Sequence, residues 1–297
     1  MLEPDMDRSF GMPPPAFRLP EAAHVGAVHL QVVDLPSSLS YYEQVLGLRA
    51  HNVTDAAAVL SARGDERPLV ILHTRPGLSR ARRGAFGLYH FAILLPERGA
   101  LGRFATHLAS LEVRVGMADH LVSEALYLWD PDGLGIEVYA DRPRDMWQQS
   151  DRELVMTTDP LDVRSVIAAG HGKVWTGAPE GTTMGHVHLH VGHMEQAEAF
   201  YHRALGFDKT VWSYPGALFM SAGGYHHHLG TNTWSTGPAA AVNEARLLEW
   251  ELMVPSDIDI EAAARNLRDG NYGVEETEAG VAVADPWGTR VHVRLSI

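Results

Sequence analysis

The sequence predicts an α+β fold in which four βαβββ modules pair into two cup-shaped mixed-sheet barrels. The first observation behind this prediction is a duplication, because residues 26–32 read GAVHLQV and residues 185–191 read GHVHLHV, 159 positions later (185 minus 26). Tyr42 and Tyr201 follow at the same offset. The second observation is that each half divides again into a strand, a helix and three short strands. Such repetition indicates a duplicated scaffold.

The first module shows this pattern in full. Alternating apolar residues over 27–33 are typical of a half-buried strand, Asp34 suits a helix N-cap, and Gly47 follows the last helical turn. Three further strand-like runs complete the module, at residues 48–53, 57–61 and 69–73.

The other three modules repeat this order of elements. The second begins with a strand over 89–95 and has a turn at 130–133 before its last strand. The third covers about 185–234, and the fourth runs from about residue 246, with a matching turn at 285–288.

The modules are expected to pair, because four strands and one helix leave one face of a sheet uncovered. Pairing two such faces creates a cavity. We expect residues 22–145 to hold the first two modules in sequence, residues 146–180 to form a connector, and residues 181–297 to hold the last two modules.

Composition narrows the classes of partner and ligand. The formal charge of −13 comes with no basic run, which makes nucleic acid and anionic membranes poor partners. The absence of cysteine excludes disulfides and thiolate ligands, so any metal would be held by His, Asp or Glu. No stretch approaches the roughly 18 apolar residues of a membrane-spanning helix. We therefore expect a cytoplasmic protein without a membrane partner.

Several stretches resemble the vicinal oxygen chelate superfamily, which includes glyoxalases, bleomycin-binding proteins and extradiol dioxygenases. The likeness is strongest to its catechol 2,3-dioxygenase-like group and covers nearly the whole chain from about Ala23. The stretches that carry it are GLYHFAILLP at 87–96, residues 120–132, GIEVYADRP at 135–143, GHVHLHV at 185–191 and GGYHHH at 223–228.

The resemblance implies a metal in the cup formed by two modules, held by side chains of their first and last strands. Pairing the second module with the third places His90, Glu137 and His186 at those positions, and we predict these as the metal ligands. A rival set combines His186 with Glu249 and His292. Ala27 occupies the corresponding position of the first module, which cannot bind a metal there.

Three further residues are candidates for catalysis. By resemblance to glyoxalase-type modules, His228 lies on a last strand and faces the metal as a fourth ligand or an acid–base group. A hydrogen-bonded polar strand at 226–228 is the alternative. His120 either lines the cup or is a surface loop residue. Tyr139 shares a strand face with Glu137, so its hydroxyl contacts the substrate or the core.

The implied function is that of an Fe(II)-dependent extradiol dioxygenase, which cleaves a catechol-type aromatic. Two imidazoles and one carboxylate are the ligand set of non-haem Fe(II) oxygenases, although Mn(II) accepts similar donors. The molecular partners would be a small aromatic diol and O2, and a homodimer is compatible with the sheet edges. Two alternatives stay open: a glyoxalase-like isomerase or lyase that uses Ni(II) or Zn(II) without oxygen, and a metal-free small-molecule binding protein.

Overall fold

The computed structural model describes residues 10–296, which contain all four modules and the connector. The first module consists of β1 (His24–Gln31), α1 (Leu35–Gln44), β2 (Arg49–His51), β3 (Ala57–Ser61) and β4 (Pro68–His73). The second consists of β5 (Gly87–Leu94), α2 (Arg98–Ser110), β6 (Gly116–Asp119), β7 (Ser123–Trp129) and β8 (Gly135–Asp141).

The connector and the second half continue in the same way. The connector contains a 3-10 turn (Arg144–Met146), β9 (Gln149–Ser150), β10 (Glu153–Leu154) and α3 (Val163–Ala169). The third module consists of β11 (Thr183–His190), α4 (Met194–Ala197) with a π-helical extension (Glu198–Ala204), β12 (Asp208–Val211), β13 (Ala217–Ser221) and β14 (Leu229–Asn232). The fourth consists of β15 (Arg246–Val254), α5 (Asp257–Asp269), β16 (Val274–Thr277), β17 (Gly280–Ala284) and β18 (Arg290–Leu295).

Two eight-stranded mixed sheets result, and each takes one module from each half of the chain. The inner sheet has the order β12-β13-β14-β11-β5-β8-β7-β6, and the outer sheet has the order β16-β17-β18-β15-β1-β4-β3-β2. In the inner sheet β11 pairs with β5 in antiparallel fashion, and in the outer sheet β1 pairs with β15. The predicted α+β architecture and the predicted pairing of modules two and three are therefore confirmed.

Local signals account for the ends of the helices. The Asp34 carboxylate accepts a hydrogen bond from the Ser37 amide and caps α1, and the Ser256 hydroxyl accepts one from the Asp259 amide and caps α5. Gly47 has a φ of +72°, a left-handed conformation that suits glycine at a helix end.

The duplicated tyrosines and the duplicated turns join the two sheets. The Tyr42 hydroxyl donates to Asp130, and the Tyr201 hydroxyl donates to Asp285 at 2.8 Å. Each bond links an outer-sheet module to an inner-sheet module, and all four side chains are buried. The repetition seen in the sequence thus serves the packing of one sheet against the other.

Candidate metal centre

Three neighbouring strands of the inner sheet bring His90, Glu137 and His186 to one face. Ala92 on β5 pairs with Glu137 on β8 and with His186 on β11, so these three residues lie side by side across the sheet. His90 precedes Ala92 by two residues, and side chains two residues apart in a strand point to the same face. Strand register alone therefore gathers the three predicted ligands.

The three side chains converge on one carboxylate oxygen. Glu137 Oε2 lies 3.0 Å from His90 Nε2 and 3.1 Å from His186 Nε2. The three potential donor atoms all lie within 4.8 Å of one another. The exposed fractions of the residues are 4%, 2% and 1% for His90, Glu137 and His186. The arrangement is a compact buried set of two nitrogens and one oxygen.

Electrostatics favour the protonation states that a metal requires. Burial opposes ionisation of Glu137, but the neighbouring imidazoles of His186 and His90 outweigh it and hold the pKa of the carboxyl well below its usual value. Burial lowers the pKa of His186 to about 4, so its imidazole is neutral at neutral pH. A neutral imidazole and a carboxylate each present a lone pair to a cation.

Two buried nitrogens of these side chains, His90 Nε2 and His186 Nδ1, have no hydrogen-bond partner among the described residues. His90 Nε2 is 3.0 Å from Glu137 Oε2 but is not aligned with it for a hydrogen bond. Buried polar nitrogens are rarely left without a partner, and a coordinated cation would provide one for His90 Nε2. The two-nitrogen, one-oxygen set fits a divalent ion such as Fe(II), Mn(II) or Zn(II).

The three side chains open into a cavity of about 500 Å³. Its walls come from the second and third modules, and Met156 and Thr158 of the connector also contribute to it. Aromatic side chains make up much of the remaining lining, namely Tyr89, Tyr127, Trp129, Tyr214, Phe219 and Trp234.

His120 lines this cavity together with Tyr127. His120 Nδ1 lies 2.6 Å from the Thr157 carbonyl oxygen, and because a carbonyl only accepts, Nδ1 carries a proton. In the neutral ring His120 Nε2 then accepts from the Tyr127 hydroxyl, 2.6 Å away. Burial and the Glu137 carboxylate raise the pKa of Tyr127 well above its usual value, so the phenol keeps its proton.

Tyr127 was absent from the sequence-based prediction, although a signal for it existed. It pairs directly with Glu137 across β7 and β8, and it shares a strand face with Trp129. Pairing the two strands that flank the turn at 130–133 places Tyr127 opposite Glu137 and would have identified it.

Comparison with known proteins assigns the family. A family model described as the Glyoxalase/Bleomycin resistance protein/Dioxygenase superfamily matches residues 22–138 and 183–293. The chain belongs to this superfamily. A protein named catechol-2,3-dioxygenase from Bacillus subtilis (strain 168) is 42% identical over 273 residues, which are 90% of this chain and 95% of that protein. The likeness to the catechol 2,3-dioxygenase-like group of the superfamily is thereby confirmed.

Solved structures share the superfamily fold. Glyoxalase I from Zea mays superposes with a TM-score of 0.55 at 17% identity, over 92% of each chain. A candidate dioxygenase from Bacillus subtilis subsp. subtilis str. 168 superposes with a TM-score of 0.65 at 14% identity, over 94% of this chain and 86% of the other. Within residues 10–296 no helix is long and apolar enough to cross a bilayer.

His228 does not line the cavity at the metal centre, contrary to the expectation from the resemblance to glyoxalase-type modules. Residues 226–228 lie outside any strand, between a turn at Gly223 and Gly224, whose φ values are +62° and +64°, and the start of β14. After this turn, the residue that faces the cavity is one position earlier than expected. His227 lines the cavity instead, with its ring centroid 4.1 Å from that of His186.

His228 lines a separate pocket, on the side where Gly185 and Tyr225 lie. Its Nδ1 accepts a hydrogen bond from the Ala222 amide at 3.2 Å, and burial lowers its pKa to about 3. This neutral, hydrogen-bonded histidine corresponds to the alternative considered from the sequence.

Tyr139 lies behind the candidate metal centre and does not line the cavity. Its ring centroid is 5.0 Å from that of His186, and its hydroxyl is 2.7 Å from the hydroxyl of Tyr225. The side chain is fully buried, so it contacts the core. It supports His186 from below, and no surface of it is open to a substrate.

Gly185 makes this support feasible, which yields a prediction. β11 has a register shift between Met184 and His186, and a Cβ on Gly185 would lie 1.8 Å from the Tyr139 hydroxyl oxygen. We expect Gly185→Ala to lower the free energy of unfolding by about 1–3 kcal/mol, because overpacked cores lose that much. Urea denaturation with an unchanged m-value measures it.

Gly273→Ala is the matched control, because no atom lies within 4 Å of a Cβ at Gly273. Equal midpoints for the two variants would contradict the close approach of Gly185 and Tyr139.

The rival ligand set is not assembled by the structure. His186 belongs to the inner sheet, whereas Glu249 and His292 lie on β15 and β18 of the outer sheet. There Glu249 is 3.6 Å from both Arg290 and His292. Ala27 stands where the inner sheet has His186, because the two residues lie 159 positions apart (186 minus 27) on the duplicated strands β1 and β11.

Proposed function

We propose that this protein is an Fe(II)-dependent extradiol dioxygenase that cleaves the ring of a catechol. The observation that carries the proposal is the buried set of His90, Glu137 and His186 facing a cavity lined by aromatic side chains. The 42% identity to a protein named catechol-2,3-dioxygenase supports it independently.

The residues of the set would hold the iron, and the cavity would hold the diol. Bound Fe(II) would supply a Lewis-acidic and redox-active centre at which a diol and O2 are brought together. A diol bound between the aromatic walls would displace water from that space, which would limit side reactions. Ring orientation follows from the walls, because Tyr89 and Phe219 flank the triad face of the inner sheet.

His120 and Tyr127 form the proton-transfer pair of the proposal. The Tyr127 oxygen takes the proton of a catechol hydroxyl while the Tyr127 proton passes to His120 Nε2. The Thr157 carbonyl, which accepts from His120 Nδ1, stabilises the imidazolium that forms. The same pair returns the proton to the ring-opened product.

Oxygen uptake tests the proposal. The purified protein is stripped of metal, reloaded without air with Fe(II), Mn(II), Ni(II) or Zn(II) in parallel, and mixed with catechol in an oxygen electrode. We expect uptake of one O2 per catechol with Fe(II), with ring-opened product in equal amount. Absence of uptake with all four metals would refute the proposal. Turnover of a glyoxalase-type substrate by the Ni(II) or Zn(II) form without oxygen would instead support Lewis-acid isomerase chemistry.

A further inference from the structure

We propose that the cavity selects catechols that carry an uncharged apolar or aromatic substituent and discriminates against carboxylated catechols. The inference rests on the proposed function, because it concerns the substrate of the same site. It is carried by three features of the cavity: the charges of its lining, its aromatic wall and its volume.

No side chain that lines the cavity carries a permanent positive charge that could pair with a carboxylate. All of the lining residues belong to the described part of the chain, and none of them is lysine or arginine. Glu137 is an anion. His90 and His186 present lone pairs if they bind a metal, and His120 has both ring nitrogens engaged by Thr157 and Tyr127.

Hydrogen-bond geometry shows that His188 is uncharged as well. The Trp234 amide donates to Asn232 Oδ1, which fixes the orientation of the Asn232 side chain because an amide N–H only donates. Asn232 Nδ2 therefore faces His188 Nε2 at 2.9 Å and donates to it. A nitrogen that accepts a hydrogen bond carries no proton, so His188 is a neutral part of the wall.

The wall on the side of the third module is a continuous array of aromatic rings. The Tyr89 ring meets the Trp234 ring edge-on at 5.8 Å between centroids, and the Tyr214 ring meets Phe219 in the same way at 5.7 Å. Tyr214 and Trp234 are 6.4 Å apart. Such rings bind apolar and aromatic groups by dispersion and edge-to-face contact.

Two large aromatic side chains of the lining are open to solvent. Trp234 is 48% exposed and Trp129 is 60% exposed. Exposed apolar surface that adjoins a pocket commonly marks a ligand-binding site. A ring substituent that extends from the metal centre toward these indoles would cover them.

The volume leaves room for such a substituent. Cavities of about 300–1,000 Å³ hold drug-sized ligands, and the volume here is about 500 Å³. A bare diol of six carbons would fill only part of it. A carboxylated ring would also fit by size, so charge and not volume is the basis of discrimination, because burying an ion without a partner is strongly unfavourable.

The test compares substrates on the Fe(II)-loaded protein. We expect kcat/KM for 4-methylcatechol and 3-phenylcatechol to equal or exceed that for catechol, and kcat/KM for 3,4- and 2,3-dihydroxybenzoate to be at least about 100-fold lower. Calorimetric binding of the same diols in the absence of oxygen should give the same order of affinity. This second readout does not depend on turnover.

Variants at the cavity lining should shift the preference if the inference is correct. Met117 lines the cavity and is exposed, so Met117→Arg places a guanidinium at the lining and should raise the ratio of kcat/KM for 3,4-dihydroxybenzoate over catechol by about tenfold or more. Met146→Arg, at an exposed methionine outside the cavity, is the control and should leave this ratio unchanged. Trp234→Ala should lower the ratio for 3-phenylcatechol over catechol by about threefold to tenfold.

The outcomes separate the two proposals. If catechol is cleaved but the dihydroxybenzoates react equally well, the inference fails and the dioxygenase stands. If no diol supports oxygen uptake, the proposed function fails, and equal anaerobic affinities for neutral and carboxylated diols would overturn the inference as well.

Discussion

Replacing Glu137 by glutamine should remove metal binding and oxygen uptake together. The substitution keeps the size of the side chain but takes away the anion on which His90 and His186 converge. Because even residues that only orient a ligand change metal affinity by about 10–100-fold, loss of a ligand itself should weaken it by more than about 100-fold. Metal content after dialysis and oxygen uptake with catechol are the measurements.

His90→Ala and His186→Ala should have the same effect as Glu137→Gln. Combining them should add little, because residues that act as one unit are not additive. Three separate additive losses would indicate that the side chains do not share a metal.

The duplicated outer sheet offers a matched control. His292 pairs with Glu251 on β15, as Glu137 pairs with Ala92 on β5, and residue 251 lies 159 positions after residue 92. His292→Ala should therefore leave metal content at one per chain. Loss of metal in this variant would contradict the assignment of the centre to the inner sheet.

Replacing His120 by phenylalanine should lower kcat by about 100- to 10,000-fold and leave metal content unchanged. The His120 ring lines the cavity and is hydrogen-bonded to the Tyr127 hydroxyl. In the proposed transfer it receives the proton from Tyr127. The dependence of kcat on pH should also change, which the loss of a merely structural residue would not cause. Stopped-flow rates from pH 5 to 9 measure both effects.

Tyr127→Phe should reproduce part of the loss of kcat, because a water molecule can replace the hydroxyl in the proton transfer but does so less efficiently. His193→Phe is the control, since His193 is exposed and caps α4 without a side-chain hydrogen bond. An unchanged pH profile in His120→Phe would show that the proton is handled elsewhere.

Much of the fold could be predicted from the sequence because both halves of the chain show the same order of strands and helices. The strand alternation after Gly26 and Gly185, the cap at Asp34 and the glycine stop at Gly47 are local signals, and each appears where expected. The repeated Tyr42 and Tyr201 had no explanation before the structure, since their partners Asp130 and Asp285 are distant in the chain.

The three predicted ligands could also be located, because they occupy equivalent positions on strands and Ala27 breaks the equivalence in the first module. The resemblance to the superfamily assigns ligands to the first and last strands of the modules, and these positions hold His90, Glu137 and His186 in this chain. His227 could not be found in this way. The turn at Gly223 and Gly224, where φ is positive, interrupts the strand. Beyond such a turn, alternation along the strand no longer predicts which side chains face the cavity.

Sequence by itself determined the four modules, because these depend on local periodicity and on duplication, and the resemblance to the superfamily then gave the strand positions of His90, Glu137 and His186. Tertiary structure alone decided that Tyr127 joins His120, that Thr157 of the connector fixes the tautomer of His120, and that His227 replaces His228 at the cavity. The physical reason is that these contacts arise from sheet pairing and from the packing of distant segments, which local residue patterns do not encode.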